Sequence, residues 1–243
     1  MTESAGGGKR VAFFGGSFDP PHLGHLGVAR AAIEALGLDT VLFAPVGAQP
    51  LKAQGSTANF EDRLAMTELA IGGEPCFGIS LADAPRPDGS PNYTLDALLA
   101  LRAELPADSS LFCLMGADSL MGLRRWHRAV EIPFVATLIV ASRPGQMLVD
   151  LVPLLPAGLS LVDTHAMESE EGKPTLKSYL VENSRGERAA FYLLPGVHLD
   201  ISASEIRRQV RNATGELDSG QELLPKAVHD WILARGLYRQ EEP

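Results

Sequence analysis

The sequence predicts an α/β fold: a Rossmann-like, doubly wound parallel sheet with a small C-terminal helical part. Three observations predict it. Short apolar runs at residues 11–14, 40–45, 76–80, 111–115 and 134–141 have the length and composition of strands buried on both faces. Stretches with apolar residues at helical spacing follow the first four runs. Glycine, proline or serine closes each run, as expected where a strand turns out of the sheet. Strands alternating with helices give a parallel sheet covered on both sides, and such sheets bind ligands beyond the carboxyl ends of their strands.

The first run, Val11-Ala12-Phe13-Phe14, leads straight into Gly15-Gly16, which leave no Cβ to hold a ligand off the backbone. Pro20-Pro21 stiffens the loop, and a helix starts near His22, with Leu26, Ala29, Ile33 and Leu36 on one face. His22 and His25 are three apart and share its first turn, which is expected to face solvent and to carry free backbone N–H groups. Strand, glycine loop, helix N-terminus and two imidazoles make a site for phosphate.

The second run ends at Pro45, and residues 47–57 form a loop with Pro50, Lys52 and Gly55. Asn59 or Thr57 caps the next helix, with Leu64, Leu69 and Ile71 as its expected apolar face and Gly72-Gly73 as its stop. A turn-rich loop at 82–91 follows the third run, and Thr94 or Asn92 caps a helix with Leu95, Leu98, Leu99 and Leu101 inward. The fourth run ends at Gly116 and the fifth at Ala141. Residues 145–195 show little period and read as a variable excursion. From 196 the pattern returns: a short strand with Val197, Leu199 and Ile201, a helix from Ser202, and a last helix over 225–234 with Val228, Trp231 and Ile232 on one side. Residues 10–239 read as one domain, with 196–239 its C-terminal helical part and 1–9 a flexible leader lacking the apolar stretch of a secretory signal.

The 243 residues carry a net charge of −9, which argues against a general nucleic-acid surface but leaves room for a local positive pocket. No apolar run is long enough to span a membrane. Cys76 and Cys113 read as free thiols of a reducing, cytoplasmic compartment. His127, His165, His198 and His229 read as structural or surface residues, and the oligomeric state stays open.

A second chemical stretch is Ile201-Ser202-Ala203-Ser204-Glu205-Ile206-Arg207. Ser202 and Glu205 have capping-box spacing, which needs only helix physics. Ser204 and Arg207 remain, a hydroxyl and a guanidinium at a helix start, and these suit a second anion site.

GGSFDPPHLGH resembles the signature of the nucleotidyltransferase superfamily that carries H-x-G-H, in which the two histidines bind a nucleotide triphosphate and stabilise the transition state. The 201–207 stretch resembles that superfamily's I-S-S-T-x-I-R motif, which holds the β- and γ-phosphates of ATP. The rest resembles one branch, the bacterial nicotinate-nucleotide adenylyltransferases. Asn92-Tyr93-Thr94 is similar to its S-Y-T, Gly116-Ala117-Asp118-Ser119-Leu120 followed by Trp126 to its G-x-D-S-L…W, Ser142-Arg143-Pro144-Gly145 to its R-R-P-G, and 224–239 to its C-terminal end. The likeness covers 10–145 and 196–239, with one departure: Gln49-Pro50-Leu51-Lys52 stands where the branch has P-P-H-K.

The resemblance implies transfer of AMP from ATP to nicotinate mononucleotide, giving nicotinate adenine dinucleotide and pyrophosphate. It implies His22, His25 and Arg207 as catalytic residues. ATP is expected on Gly15, Gly16, Ser17, Phe18, His22, His25, Gly116, Asp118, Ile201, Ser202, Ser204 and Arg207. The mononucleotide is expected on Gly16, Ser17, Lys52, Tyr93, Thr94, Trp126 and Arg143. Mg²⁺ is expected to arrive on the ATP phosphates, with no side-chain metal ligand. The alternatives are adenylylation of phosphopantetheine or of nicotinamide mononucleotide, and a non-catalytic nucleotide-binding module.

Overall fold

The computed structural model describes residues 8–51, 55–142, 151–166, 176–194, 201–212 and 223–239. Among them eight strands form one sheet. These are β1 (Arg10–Gly16), β2 (Thr40–Pro45), β3 (Phe77–Ile79), β4 (Ser110–Gly116), β5 (Thr137–Ala141), β6 (Leu159–Ala166), β7 (Lys177–Asn183) and β8 (Arg188–Leu194). The helices are α1 (Leu23–Leu36), α2 (Phe60–Ile71), α3 (Thr94–Glu104), α4 (Ala117–Gly122), α5 (Ile132–Val135), α6 (Ala203–Asn212) and α7 (Lys226–Arg235). None of them is long and apolar enough to cross a membrane.

The sheet order is β3-β2-β1-β4-β5-β8-β7-β6, and only the pairs β8–β7 and β7–β6 are antiparallel. The order reverses between β1 and β4, so the crevice of this doubly wound sheet opens beyond Gly16 and Gly116. Alternation along β1 divides the core. Ala12 and Phe14 pack with Leu26, Phe43, Met66, Val228 and Ile232 on one side. Phe13 packs with Leu95, Leu98, Leu120, Leu138 and Phe191 on the other.

Several expectations need correction. Residues 134–136 precede β5 instead of belonging to it: Pro133 opens the short helix α5, and Ala136 N–H closes it on the Ile132 carbonyl at 3.0 Å. Leu69 and Leu99 are 40% and 42% exposed, outside the buried faces of α2 and α3. The excursion at 145–195 supplies β6, β7 and β8, with Val181 and Phe191 fully buried. Apolar runs mark strands covered on both faces, whereas these strands have a wet side. Glu182 and Arg188 pair across the β7–β8 ladder at 2.6 Å, and such charges hid the pattern. Residues 195–200 lie outside the described residues, and Ile201 is not in a strand. Lys9, expected in the leader, bonds the start of β4: its carbonyl accepts Ser110 N–H at 2.7 Å. Residues 1–7 lie outside the described residues.

Candidate active site

A cavity of about 670 Å³ opens at the switch point, within the usual size of small-molecule sites. Its wall includes every sequence-predicted site residue that is described: Gly15, Gly16, Ser17, Phe18, His22, His25, Tyr93, Thr94, Gly116, Asp118, Trp126, Ile201, Ser202, Ser204 and Arg207. Lys52 and Arg143 lie outside the described residues. Leu51, in the loop that departs from the family motif, lies on the wall and is 51% exposed.

His22 is the N-cap of α1. Its backbone N–H donates to His25 Nδ1 at 3.1 Å, and the two rings stack with centroids 3.7 Å apart. That bond makes Nδ1 an acceptor, so neutral His25 carries its proton on Nε2 and offers a donor there. Burial, and then the neighbouring His22, hold the His25 imidazole well below its ordinary pKa. The glycine of H-x-G-H has a steric reason: a Cβ on Gly24 would stand 3.0 Å from His22 Nδ1. The expected solvent-facing turn is not found, because His22 is only 6% exposed and His25 half-buried. One first-turn N–H is also spent, Leu23 donating to the Leu223 carbonyl at 3.0 Å. Phe18 is 2% exposed, its ring edge-on to Phe14 and His25, so a ligand meets its backbone and not its ring.

The start of α6 contributes to the wall. Arg207 Nη2 donates to Ser204 Oγ at 3.1 Å and Nη1 to the Asp19 carbonyl at 2.5 Å. Glu205 does not turn back toward Ser202 as a capping box requires; its carboxylate takes Arg208 at 2.9 and 2.6 Å and Gln209 at 3.2 Å. Also on the wall, Gly116 is the N-cap of α4 and Asp118 stands exposed in its first turn.

Tyr93, Thr94 and Trp126 also line the cavity. Tyr93 is the N-cap of α3 without a side-chain cap bond. His127, read from sequence as structural or surface, also lines the cavity, its ring stacked on Tyr93 at 4.3 Å. Asn92, in the place of the motif serine, is a loop staple: its amide accepts from Ala48 N–H at 2.9 Å and donates to the Ala84 carbonyl at 2.8 Å. Asp83 is 4% exposed, and no partner for its Oδ1 occurs among the described residues. Burial pushes its carboxyl up to about 7, against the pull of Arg86 and with a further push from Asp96. Burial, then the Asp83 charge, pushes the Cys113 thiol up to about 12, so it is no nucleophile at neutral pH.

Sequence reasoning missed the residues that hold the glycine loop. Arg63 on α2 is 2% exposed and donates to the carbonyls of Ser17, Val46 and Ala58 at 2.8, 2.8 and 3.3 Å. Asp62 beside it takes Trp231 Nε1 at 3.2 Å and Arg235 Nε at 3.0 Å, tying α7 to α2. The available signal was that Asp62, Arg63 and Thr67 surround Met66 on α2 instead of lying opposite it. Of the other histidines, His229 is half-buried beside Asp230 at 3.7 Å, while the side chains of His165 and His198 lie outside the described residues.

The cytidylyltransferase-like family matches residues 13–209. A probable nicotinate-nucleotide adenylyltransferase of Yersinia pestis is 35% identical over 232 residues, 94% of each chain. One of Trichlorobacter lovleyi is 36% identical over 230 residues, 95% of this chain and 99% of its own. Among solved structures, nicotinic acid mononucleotide adenylyltransferase of Plasmodium falciparum, complexed with NaAD, has a TM-score of 0.66 at 16% identity, covering 95% of this chain and 97% of that one. At that identity the likeness speaks for the fold. The family match and the near-full-length relatives carry the rest: this chain belongs to the cytidylyltransferase-like family, in its nicotinate-nucleotide adenylyltransferase branch.

Proposed function

We propose that this protein transfers the adenylyl group of ATP to nicotinate mononucleotide, releasing pyrophosphate, in the formation of NAD. The observation that carries this reading is the layout of the cavity. The stacked His22–His25 pair, the α6 start with Ser204 and Arg207, and the aromatic rings of Tyr93, Trp126 and His127 line one cavity. The relatives' names supply the acceptor.

An oxygen of the acceptor phosphate attacks the α-phosphorus in line. The bond from the α-phosphorus to the bridging oxygen breaks, and pyrophosphate leaves with its electron pair. A phosphomonoester is already largely ionised at pH 7, so no general base is needed. Positioning and charge stabilisation remain for the protein. His25 donates from Nε2 to an α-phosphate oxygen, beside His22. Arg207 and the start of α6 take the β- and γ-phosphates. Asp118 faces the ribose of one nucleotide. Gly15 and Gly16 admit the phosphates close to the backbone. The wall donors are N–H groups and cations suited to phosphate, and the described residues hold no cluster of three or more metal-ligating side chains. Mg²⁺ carried in on the ATP phosphates and water would supply charge neutralisation for the leaving pyrophosphate.

Trp126 stacks on the pyridine ring, and the start of α3 receives the ring's substituent. Both oxygens of a nicotinate carboxylate accept, which suits the N–H groups of Thr94 and Leu95, while the NH₂ of nicotinamide puts a donor against donors. Such a mismatch in a desolvated pocket costs about 1–3 kcal/mol, and the charge widens the gap. The test is pyrophosphate release with ATP and nicotinate mononucleotide, nicotinamide mononucleotide or phosphopantetheine. The expected result is a preference for nicotinate of at least tens-fold in kcat/KM. Equal values for the two mononucleotides overturn the carboxylate reading, a preference for phosphopantetheine overturns the acceptor, and no release with any of them overturns the enzyme.

A further inference from the structure

Asp19 lies in the glycine–proline loop and is 4% exposed. Its carboxylate accepts three hydrogen bonds, from Thr57 N–H at 2.6 Å, Ala58 N–H at 3.1 Å and the Tyr238 hydroxyl at 2.7 Å. Arg207 Nη1 donates to the same residue's carbonyl at 2.5 Å and stands 4.0 Å from Oδ2. Asp19 is thus the point where the first loop, the approach to α2, the arginine of α6 and the chain beyond α7 meet. Tyr238 lies 219 residues from Asp19 in sequence, so no local turn or cap accounts for the bond.

The backbone marks the same place. Tyr238 has φ +64 and Phe18, the residue before Asp19, has φ +46. Bulky side chains seldom adopt the left-handed region, and they hold it where the surroundings over-determine them. Tyr238 is only 6% exposed, two residues beyond the α7 C-cap Gly236. The helix that delivers it is itself fixed to α2 by Trp231 and Arg235 on Asp62.

The hydroxyl is the informative atom. Phenylalanine would fill the same space with the same ring, so packing alone does not call for tyrosine. The hydroxyl completes the hydrogen bonding of a buried carboxylate, which in turn faces Arg207. Arg207 spends one N–H on the Asp19 carbonyl and one on Ser204, and both contacts fix the plane of its guanidinium. A guanidinium held at two points presents its other donors in a set direction. We propose that Tyr238 is a positioning residue: through Asp19 it aims the Arg207 fork at the terminal phosphates of ATP. This rests on the reading of Arg207 as a β,γ-phosphate ligand given above.

The test is a double-mutant cycle with Tyr238→Phe and Arg207→Lys, read as the Kd of ATP by calorimetry and as kcat and KM for each substrate. Tyr238→Phe is expected to weaken ATP binding about tenfold and to raise the KM of ATP alike, leaving the KM of the mononucleotide unchanged. In the Arg207→Lys background the same substitution is expected to cost less than twofold, because the fork it aims is gone. Asp19→Asn, which keeps the volume and removes the charge, is expected to give the same ATP-selective loss if Tyr238→Phe folds poorly. Equal costs in both backgrounds, or equal losses for both substrates, overturn the proposal and leave Tyr238 a structural residue. Wild-type enzyme that binds ATP but shows no transfer overturns the proposed function instead, and the ATP-binding cycle still decides this inference.

Discussion

Asp83→Asn replaces a buried carboxyl by a neutral group of nearly the same shape. Asp83 is 4% exposed, and no partner for Oδ1 occurs among the described residues. Burial pushes its carboxyl from 3.8 up to about 7. The folded-state pKa is raised, so the folded protein holds a proton between pH 4 and 7 that the unfolded chain has released. Stability from this group is therefore complete below pH 4 and is lost as pH rises through 7. A gap of about three pH units at about 1.4 kcal/mol each makes the loss roughly 4 kcal/mol, an upper value. Asparagine does not titrate, so Asp83→Asn should match wild type at pH 4 and exceed it increasingly up to pH 8. At roughly 2–4 °C per kcal/mol for a chain of this size, the full gap is on the order of 10 °C in Tm. The assay is urea unfolding of both proteins at half-unit steps from pH 4 to 8. Only their difference is diagnostic, because His25 has the opposite sign. Its pKa is lowered, so its contribution is lost as pH falls below about 6.5. A difference that stays flat with pH refutes the claim that Asp83 is a neutral acid in the folded state.

His22→Ala and His25→Ala should each lower kcat by roughly 10²-fold or more, the usual loss for one preorganised donor at a developing charge; single-turnover rates check it, and near-wild-type turnover in both refutes the mechanism. Arg207→Lys should raise the KM of ATP by roughly tenfold or more, since a charged hydrogen bond contributes about 1.5–3 kcal/mol and a point charge does not copy a fork; unchanged ATP saturation removes the second anion site. Gly47→Ala should weaken the mononucleotide and spare ATP. Its new Cβ would stand 2.6 Å from Pro85 backbone atoms and 2.7 Å from Asn92 Oδ1, in the junction that carries Tyr93 and Thr94. Overpacking of that kind costs roughly 1–3 kcal/mol, and equal KM changes for both substrates would refute the assignment of that side to the acceptor.

The sheet was legible where strands are covered on both faces, because burial forces an unbroken apolar run. Ala12 to Phe14 and Leu138 to Val140 are examples, each nearly free of solvent. It was illegible from β6 to β8, where one face is wet and charges such as Glu182 and Arg188 pair across strands. The residues proposed for the phosphates were legible for a different reason. H-x-G-H and the stretch at 201–207 place donors at helix starts, and those placements follow from local spacing. Contacts between distant segments left no such trace: His127 reaches the cavity only because α4 and the turn after it swing it onto Tyr93.

The buried face of α2 shows why part of a site escapes a reading of apolar period. A helix facing a core should bury apolar residues, and by that rule Leu64, Leu69 and Ile71 were its inner side. The buried set is instead Asp62, Arg63, Met66, Thr67, Ala70 and Ile71. Burying a guanidinium is costly unless its donors are met, and Arg63 meets three backbone carbonyls, two of them in the loops after β1 and β2. A cation from a neighbouring helix satisfies these loop carbonyls. Thr67 Oγ1 returns to the Arg63 carbonyl at 2.7 Å, and Asp62 turns the same helix into the anchor for α7. The polar face of α2 is therefore part of the construction of the site. Its residues look misplaced in sequence because the groups they satisfy belong to loops far along the chain.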